Sequence, residues 1–299
     1  MAAEKSSKTP TTGSIRLNKF LADSGICSRR AADGVIADGR VLVNGKKVFE
    51  LGIKVNPQSD RITVDGKPIK PAQQKIYLML HKPKGVLTTL SDEAGRPTVA
   101  DYLGDISQRV FPVGRLDWDS EGLLLFTNDG DFANKVMQPK SDVTKTYLVK
   151  VDGKPEDKHL TRLKMGVSIP GGRVRAVHIE KINRKEGSKQ YNWIKIVINE
   201  GKNRQIRYMF EKIGFDVLKL QRIAIGQLKM GHLDRGEIEY LDETDLKRVF
   251  IKDLPADARP KSHTQTKVKR PAHAKRTFKA THKQNREFNK VFQNQDNKD

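Results

Sequence analysis

Apolar residues in this chain come only in short bursts. The longest unbroken ones, Ile76–Leu80 and Gly122–Phe126, fall far short of the roughly 18 residues a membrane span requires. Bursts of that length suit strands buried on both faces of a sheet, so the fold must be assembled from many short elements. The pattern also stops. Residues 252–299 carry 13 Lys+Arg against 5 Asp+Glu with almost no apolar periodicity. Such a segment buries too little surface to offset its chain entropy, and a basic disordered tail is expected there. Residues 1–14 read as a second loose, disordered arm, polar and without the apolar segment of a secretory signal. Folding is left to residues 15–251.

Charge narrows the function. Against 57 Lys+Arg stand 36 Asp+Glu, a formal +21 over 299 residues, which points to a polyanion: nucleic acid or an anionic membrane surface. The length suggests about two domains. A single cysteine, Cys27, excludes an internal disulfide and a Cys-based zinc site, and the seven histidines lack ligand spacing, so no metal site is expected. Neither GxGxxG nor GxxxxGK[ST] occurs, and no cofactor is expected. The chain reads as cytoplasmic.

Residues 15–72 form one unit. Leu17, Phe20 and Leu21 make an i, i+3, i+4 stripe ending at Ser24-Gly25. Ser28 is placed to cap a second helix carrying Ala32, Val35 and Ile36, stopped by Gly39. Asn44-Gly45 after Arg40–Val43, and Asp65-Gly66 after Arg61–Val64, are hairpin signals. Arg16, Lys19, Arg29, Arg30, Arg40, Lys46 and Lys47 decorate the unit. A solvated basic face is the ordinary meaning of such a run; clustering on two helices and the first turn favours a phosphate-tracking surface. The run RLNKFLADSGICSRRAADGVIADGRVLVNGKKV resembles an S4 RNA-binding domain, which implies binding of structured RNA.

Residues 73–251 alternate strand signals (Lys75–His81, Lys145–Val151, Asn192–Asn199, Asp216–Leu220) with helix signals (Asp131–Met137, Pro155–Lys164, Asn203–Ile213, Glu243–Phe250). Strands and helices do not alternate regularly, so an α+β domain with a mixed, largely antiparallel sheet is expected.

Three stretches in this unit carry candidate chemistry. In Gly114-Arg115-Leu116-Asp117 a carboxylate sits between two apolar runs, and Gly114 permits a tight turn. Asp117 reads as a nucleophile or base held ionised by an arginine, or else as a turn cap. Asp119 adds a second carboxylate two residues on. In Lys145-Thr146-Tyr147, Lys145 and Tyr147 share one face of a strand; Tyr147 is suited to stacking on a base, or to ordinary sheet packing. In Gly201-Lys202-Asn203-Arg204-Gln205-Ile206-Arg207, Ile206, Met209, Phe210 and Ile213 form a core stripe. Arg204 and Arg207 lie off it near the helix start, where Arg207 can pair with Glu211 or clamp a carboxylate.

Together and in this order, GRLD with GLLLFTNDG, the K-x-Y strand and the G-K-N-R-Q-I-R helix resemble the RsuA-type pseudouridine synthases, whose architecture also includes an N-terminal S4 domain. Gly95-Arg96-Pro97-Thr98-Val99, Tyr191–Trp193 and the basic tail look most like the RluB branch, which acts on large-subunit ribosomal RNA. The chain departs from the family pattern at Tyr208, where a second arginine is common, and at His81, where asparagine is. The resemblance implies isomerisation of a uridine in 23S ribosomal RNA, naked or in an assembly intermediate, without cofactor and with no obligate protein partner. It implies that Asp117 acts on the sugar, Arg207 holds Asp117 through a salt bridge, Tyr147 stacks on the uracil and Arg115 fills the space of the flipped base. Lys202 and Arg204 join the S4 cations as RNA contacts. The same chemistry on small-subunit RNA is the alternative within the family, and two rivals lie outside it: a non-catalytic S4-type assembly protein, and a glycoside-cleaving enzyme using Asp117 and Asp119, which the +21 charge opposes.

Overall fold

The computed structural model describes residues 13–70, 74–104, 106–186, 189–253 and 277–278. The expected arm and tail lie outside the described residues, apart from 13–14, 252–253 and 277–278. The chain divides into two compact units, Met1–Lys75 with Asn128–Gly130, and Ile76–Thr127 with Asp131–Asp299.

In the first unit, β1 (Ile15–Arg16) leads into α1 (Leu17–Asp23) and α2 (Arg29–Ala37). Ser28 caps α2, its Oγ accepting from the Ala31 N–H. Strands β2 (Val41–Val43), β3 (Lys46–Val48), β4 (Lys54–Val55), β5 (Ile62–Val64) and β6 (Lys67–Pro68) follow. The main sheet runs β3-β2-β5-β6, and β1 pairs β4. The Asn44-Gly45 and Asp65-Gly66 turns hold positive φ at both central residues, the geometry of a type I′ hairpin. Leu17, Phe20, Leu21, Ala32 and Ile36 pack on Val41, Val55, Ile62 and Val64 to form the core. Full burial of each large apolar side chain there is worth about 1.5–3 kcal/mol.

The second unit is built on one ten-stranded sheet. Its strands are β7 (Tyr77–Lys82), β8 (Phe111–Val113), β9 (Glu121–Thr127), β10 (Lys145–Val151), β13 (His178–Glu186), β14 (Lys189–Ile198), β15 (Val217–Ile225), β16 (Leu228–Lys229), β17 (Ile238–Tyr240) and β18 (Thr277–Phe278); β11 (Val167–Ile169) and β12 (Gly172–Val174) form a separate hairpin. The order is β13-β14-β10-β15-β9-β7-β17-β18, with β16 on β15 and β8 on β9. Every pair is antiparallel except β15 with β9. Helices α3 (Gly130–Met137), α4 (Asp157–Met165), α5 (Gln205–Glu211) and α6 (Glu243–Val249) complete it. The sheet is sandwiched: Leu78, Leu80, Leu124 and Phe126 join one core with residues of α4 and α5, while Met79, Leu123 and Leu125 join another with residues of α3 and α6. The unbroken apolar runs are therefore central strands with both faces covered.

The sequence pattern misplaces three things here. The strand predicted to end at Leu220 continues to Ile225, because Gln221-Arg222 reads as a polar stop although Arg222 is buried in phase with Leu220. The helix predicted over Asn203–Ile213 is only Gln205–Glu211, with Arg204 in the left-handed region at φ 46° as its N-cap. Strand β13 carries no clean alternation and was not expected. Among the described residues no helix is long and apolar enough to cross a membrane.

Candidate active site

The seam between β9 and β15 is where the chemistry-bearing residues meet. These two strands run parallel, pairing Glu121 with Gln221 and Gly122 with Arg222. They approach so closely that a Cβ on Gly122 would lie 2.2 Å from the Arg222 carbonyl oxygen, and Gly122 has φ +111°. Glycine is required on both counts. On its other side β15 pairs β10 with a register shift, Thr146 opposite Ala224 but Tyr147 opposite Arg222, so Ile223 is the extra residue of a bulge. Such a bulge re-aims neighbouring side chains. Here Arg222 lies beside Tyr147, its Nη1 donating to the Tyr147 Oη at 3.5 Å.

The loop Gly114–Ser120 enters this seam from β8, turning at Gly114 with φ +75°. Four residues fix its backbone. Thr88 Oγ1 donates to the Leu116 carbonyl at 2.7 Å and accepts from the Leu116 N–H at 3.2 Å. Gly85 N–H donates to the Trp118 carbonyl at 2.8 Å. Lys82, 0% exposed, donates from Nζ to the carbonyls of Pro83, Asp117 and Ser120 at 3.0, 3.1 and 2.9 Å. Arg207 Nη2 donates to the Asp119 carbonyl at 3.1 Å. The Asp117 carboxylate itself forms no ion pair or hydrogen bond among the described residues and faces a cavity of about 480 Å³, well within the size range of small-molecule sites.

Arg115, Asp117, Tyr147, Lys202 and Arg204, all singled out from sequence, line that cavity, together with Lys145 and Arg222. Arg207 does not line it, and the expected salt bridge to Asp117 is not formed. Instead Arg207 Nη2 pairs with Asp119 Oδ2 at 3.1 Å, Arg204 Nη1 reaches the same carboxylate at 3.4 Å, and Arg207 Nη1 donates to the Val217 carbonyl at 2.9 Å. The physical reason is reach: the clamp that ties α5 to the loop meets the outer carboxylate first. Asp119, given no role in the RNA-modifying scheme, is thus a structural member of the site.

Arg222 is the residue that sequence reading missed. It is 3% exposed, its Nε donates to the Leu123 carbonyl at 2.7 Å, and its Nη2 is buried without a hydrogen-bond partner. Arg222 lines the cavity and keeps one buried nitrogen without a partner among the described residues, and a buried guanidinium left partly unsatisfied calls for a functional reason. The usable signal was an arginine in phase with Leu220 and Ala224 inside an apolar strand. Burial pushes the Lys82 pKa down to about 8, against the attraction of Asp117. Burial likewise pushes Lys145 down to about 8, with Arg222 adding repulsion.

In the first unit Arg16, Arg29, Arg30, Lys46 and Lys47 are exposed and Lys19 is half-buried. Arg40 is engaged differently, holding Asp65 with two hydrogen bonds at 2.9 and 2.6 Å. Three or more His, Cys, Asp or Glu suited to a metal do not cluster among the described residues.

A carboxylate on a braced loop thus shares its cavity with a buried arginine and a buried tyrosine. The RNA pseudouridylate synthase model matches residues 76–212, and the S4 domain model residues 15–62. An uncharacterized RNA pseudouridine synthase of Aquifex aeolicus (strain VF5) is 43% identical, spanning 79% of this chain and 94% of that protein. Ribosomal large subunit pseudouridine synthase B of Bacillus subtilis (strain 168) is 43% identical over 78% and 95%. The dual-specificity RNA pseudouridine synthase RluF of Escherichia coli O157:H7 is 37% identical over 86% and 88%. A crystal structure of a pseudouridylate synthase aligns with TM-score 0.55 and 26% identity over 79% of this chain and 99% of that one. The chain belongs to the RNA pseudouridylate synthase family. It is an RNA pseudouridine synthase carrying an S4 domain.

Proposed function

We propose that this enzyme converts a uridine of 23S ribosomal RNA, naked or within a large-subunit assembly intermediate, to pseudouridine, with Asp117 as the catalytic carboxylate. The observation that carries the reading is the Asp117 carboxylate, unpaired among the described residues, in a cavity that Tyr147 and Arg222 also line. The product joins C1′ to C5 where the substrate joined it to N1, so the base must detach, rotate and reattach. Asp117 acts on the sugar, attacking C1′ or removing the C2′ proton. Arg222 adds a buried positive charge to the wall of the same cavity, Tyr147 stacks on the uracil, and exposed Arg115 occupies the place of the extruded base. Extrusion costs a few kcal/mol, offset by phosphate contacts from Arg16, Lys19, Arg29, Arg30, Lys46, Lys47, Lys202 and Arg204.

The large-subunit assignment is supported by the name and 43% identity of the Bacillus subtilis relative. The dual-specificity name of the RluF relative keeps a second RNA target as the alternative reading. Site-resolved pseudouridine mapping of total RNA, with and without the gene, tests both. Loss of one large-subunit position is expected; loss of a small-subunit or transfer-RNA position instead would overturn the assignment, and an additional one would favour dual specificity.

A further inference from the structure

The cavity holds two desolvated amines or guanidiniums with donors to spare, and only Arg222 has been used. Lys145 is the other. It sits on β10 with its side chain on the same wall as Tyr147, in mid-sheet, opposite Ile198 of β14 and Ile225 of β15. Comparison with Lys82 shows how unusual its situation is. Lys82 places its three N–H groups on three carbonyls between 2.9 and 3.1 Å. Lys145 reaches one carbonyl, that of Val143, at 3.5 Å, and pairs with no carboxylate among the described residues. The other charged or titratable groups on the cavity wall are Arg115, Asp117, Tyr147, Lys202, Arg204 and Arg222. A partly buried ammonium with two uncommitted donors, set beside a guanidinium that repels it, is held against its own electrostatic preference.

The reaction supplies the missing anion. If Asp117 attacks C1′, the C1′–O bond forms as C1′–N1 breaks. If Asp117 takes the C2′ proton, the C2′ electron pair forms the C1′=C2′ bond as C1′–N1 breaks. Either way the electron pair of C1′–N1 leaves with N1, and the base becomes a uracil anion with charge spread over O2 and O4. Reattachment through C5 returns that pair to C1′, releasing the carboxylate or taking the C2′ proton back; the C5 proton then leaves and N1 gains one. The anion exists only between these steps, so a fixed cation beside it lowers both barriers without tightening substrate binding.

We propose that Lys145 is a further catalytic residue, its ammonium donating to a carbonyl oxygen of the detached uracil and stabilising the anion, an inference that rests on the Asp117 reading of the site. Lysine rather than arginine suits this role because its compact charge and rotatable donors follow a base that turns. The depressed pKa of about 8 adds a consequence: the cation is lost as pH rises through that region.

The test uses the full chain, with ribosomal RNA from cells lacking the gene as substrate and carbodiimide mapping of pseudouridine as readout. Single-turnover rates at saturating RNA are measured across pH for wild type, Lys145→Met, Lys145→Arg and Asp117→Asn. Lys145→Met is expected to lose about 100-fold or more in rate, with RNA affinity and its salt dependence unchanged. The wild-type rate should fall above about pH 8, and this limb should be shallower in both Lys145 variants, what remains being that of Lys82. Lys145→Arg should recover part of the rate because the guanidinium stays charged. A wild-type rate in Lys145→Met overturns the proposal. So does a loss confined to RNA affinity, which marks a phosphate contact, or a loss with an unchanged pH profile and no rescue by arginine, which marks a packing role. An active Asp117→Asn would instead overturn the reading beneath it, and the two failures are told apart by which variant retains turnover.

Discussion

Lys82→Met separates the bracing of the loop from its chemistry. The ammonium is fully buried and supplies three carbonyls, two of which, Asp117 and Ser120, belong to the loop 114–120. Its pKa falls from 10.5 to about 8, so keeping the charge inside costs about 3 kcal/mol, at about 1.4 kcal/mol per unit. Methionine keeps most of the stem and removes that cost, but strands three carbonyls at about 1–3 kcal/mol each. The balance is a net destabilisation of about 3 kcal/mol, the middle of a range that starts near zero. Function should suffer more than stability. A reacting group displaced by about 1 Å costs about 100-fold, and the Asp117 backbone loses its only side-chain donor among the described residues. Urea unfolding gives the first quantity, and single-turnover rates well below the variant's Tm give the second. A variant that is destabilised yet turns over at the wild-type rate would refute the idea that Lys82 positions Asp117. A variant clearly more stable than wild type would refute the accounting of the three carbonyls.

Four further expectations follow. Asp117→Asn should fold, bind RNA and form essentially no pseudouridine, since an amide is neither base nor nucleophile near neutral pH; ordinary turnover would end the catalytic assignment. Asp119→Asn should lower kcat by about tenfold, equivalent to about 1.4 kcal/mol, because Arg207 keeps its two carbonyl partners but loses its ion pair; an unchanged kcat would show the clamp to be idle. Gly122→Ala should cost several kcal/mol by forcing a Cβ onto the Arg222 carbonyl and straining φ +111°, and a normal thermal melt would contradict the close approach. Stability should also respond to pH at Lys82. With its folded pKa at about 8 and its unfolded value near 10.5, the unfolded chain binds more protons between those limits, so this residue's contribution grows more favourable as pH rises through them. The stability difference between wild type and Lys82→Met should therefore shift in favour of wild type from pH 7 to pH 10.

What could be read from the sequence was local. Ser28 capping α2, the two type I′ turns and the stripe Ile206, Met209, Phe210 and Ile213 each need only neighbours in the chain, and each is where the pattern placed it. The family motifs located Asp117 and Tyr147 on the cavity wall for the same reason. What escaped was set by strands far apart in sequence. Arg222 acquires its role from Gly122 on one side and Tyr147 on the other, about 100 and 75 residues away. Lys82 looks like a solvated strand end until the loop 114–120 folds over it. The partner of Arg207 was misassigned because two carboxylates two residues apart in a loop are equivalent in sequence, and only the direction from which α5 approaches distinguishes them.

That misassignment bears on how the site works. Had Arg207 neutralised Asp117 directly, the carboxylate would arrive at the substrate already committed to a cation. Instead the loop spends Arg207 on Asp119 and Lys82 on its carbonyls, and leaves Asp117, Lys145 and the outer nitrogen of Arg222 with uncommitted valences around one cavity. Rigidity is drawn from the backbone and from the neighbouring carboxylate, while the groups proposed to meet the base stay available. In the proposed reaction negative charge moves from carboxylate to base and back, and that arrangement suits it: the cations must favour both locations of the charge, and one locked in a salt bridge would favour only the first.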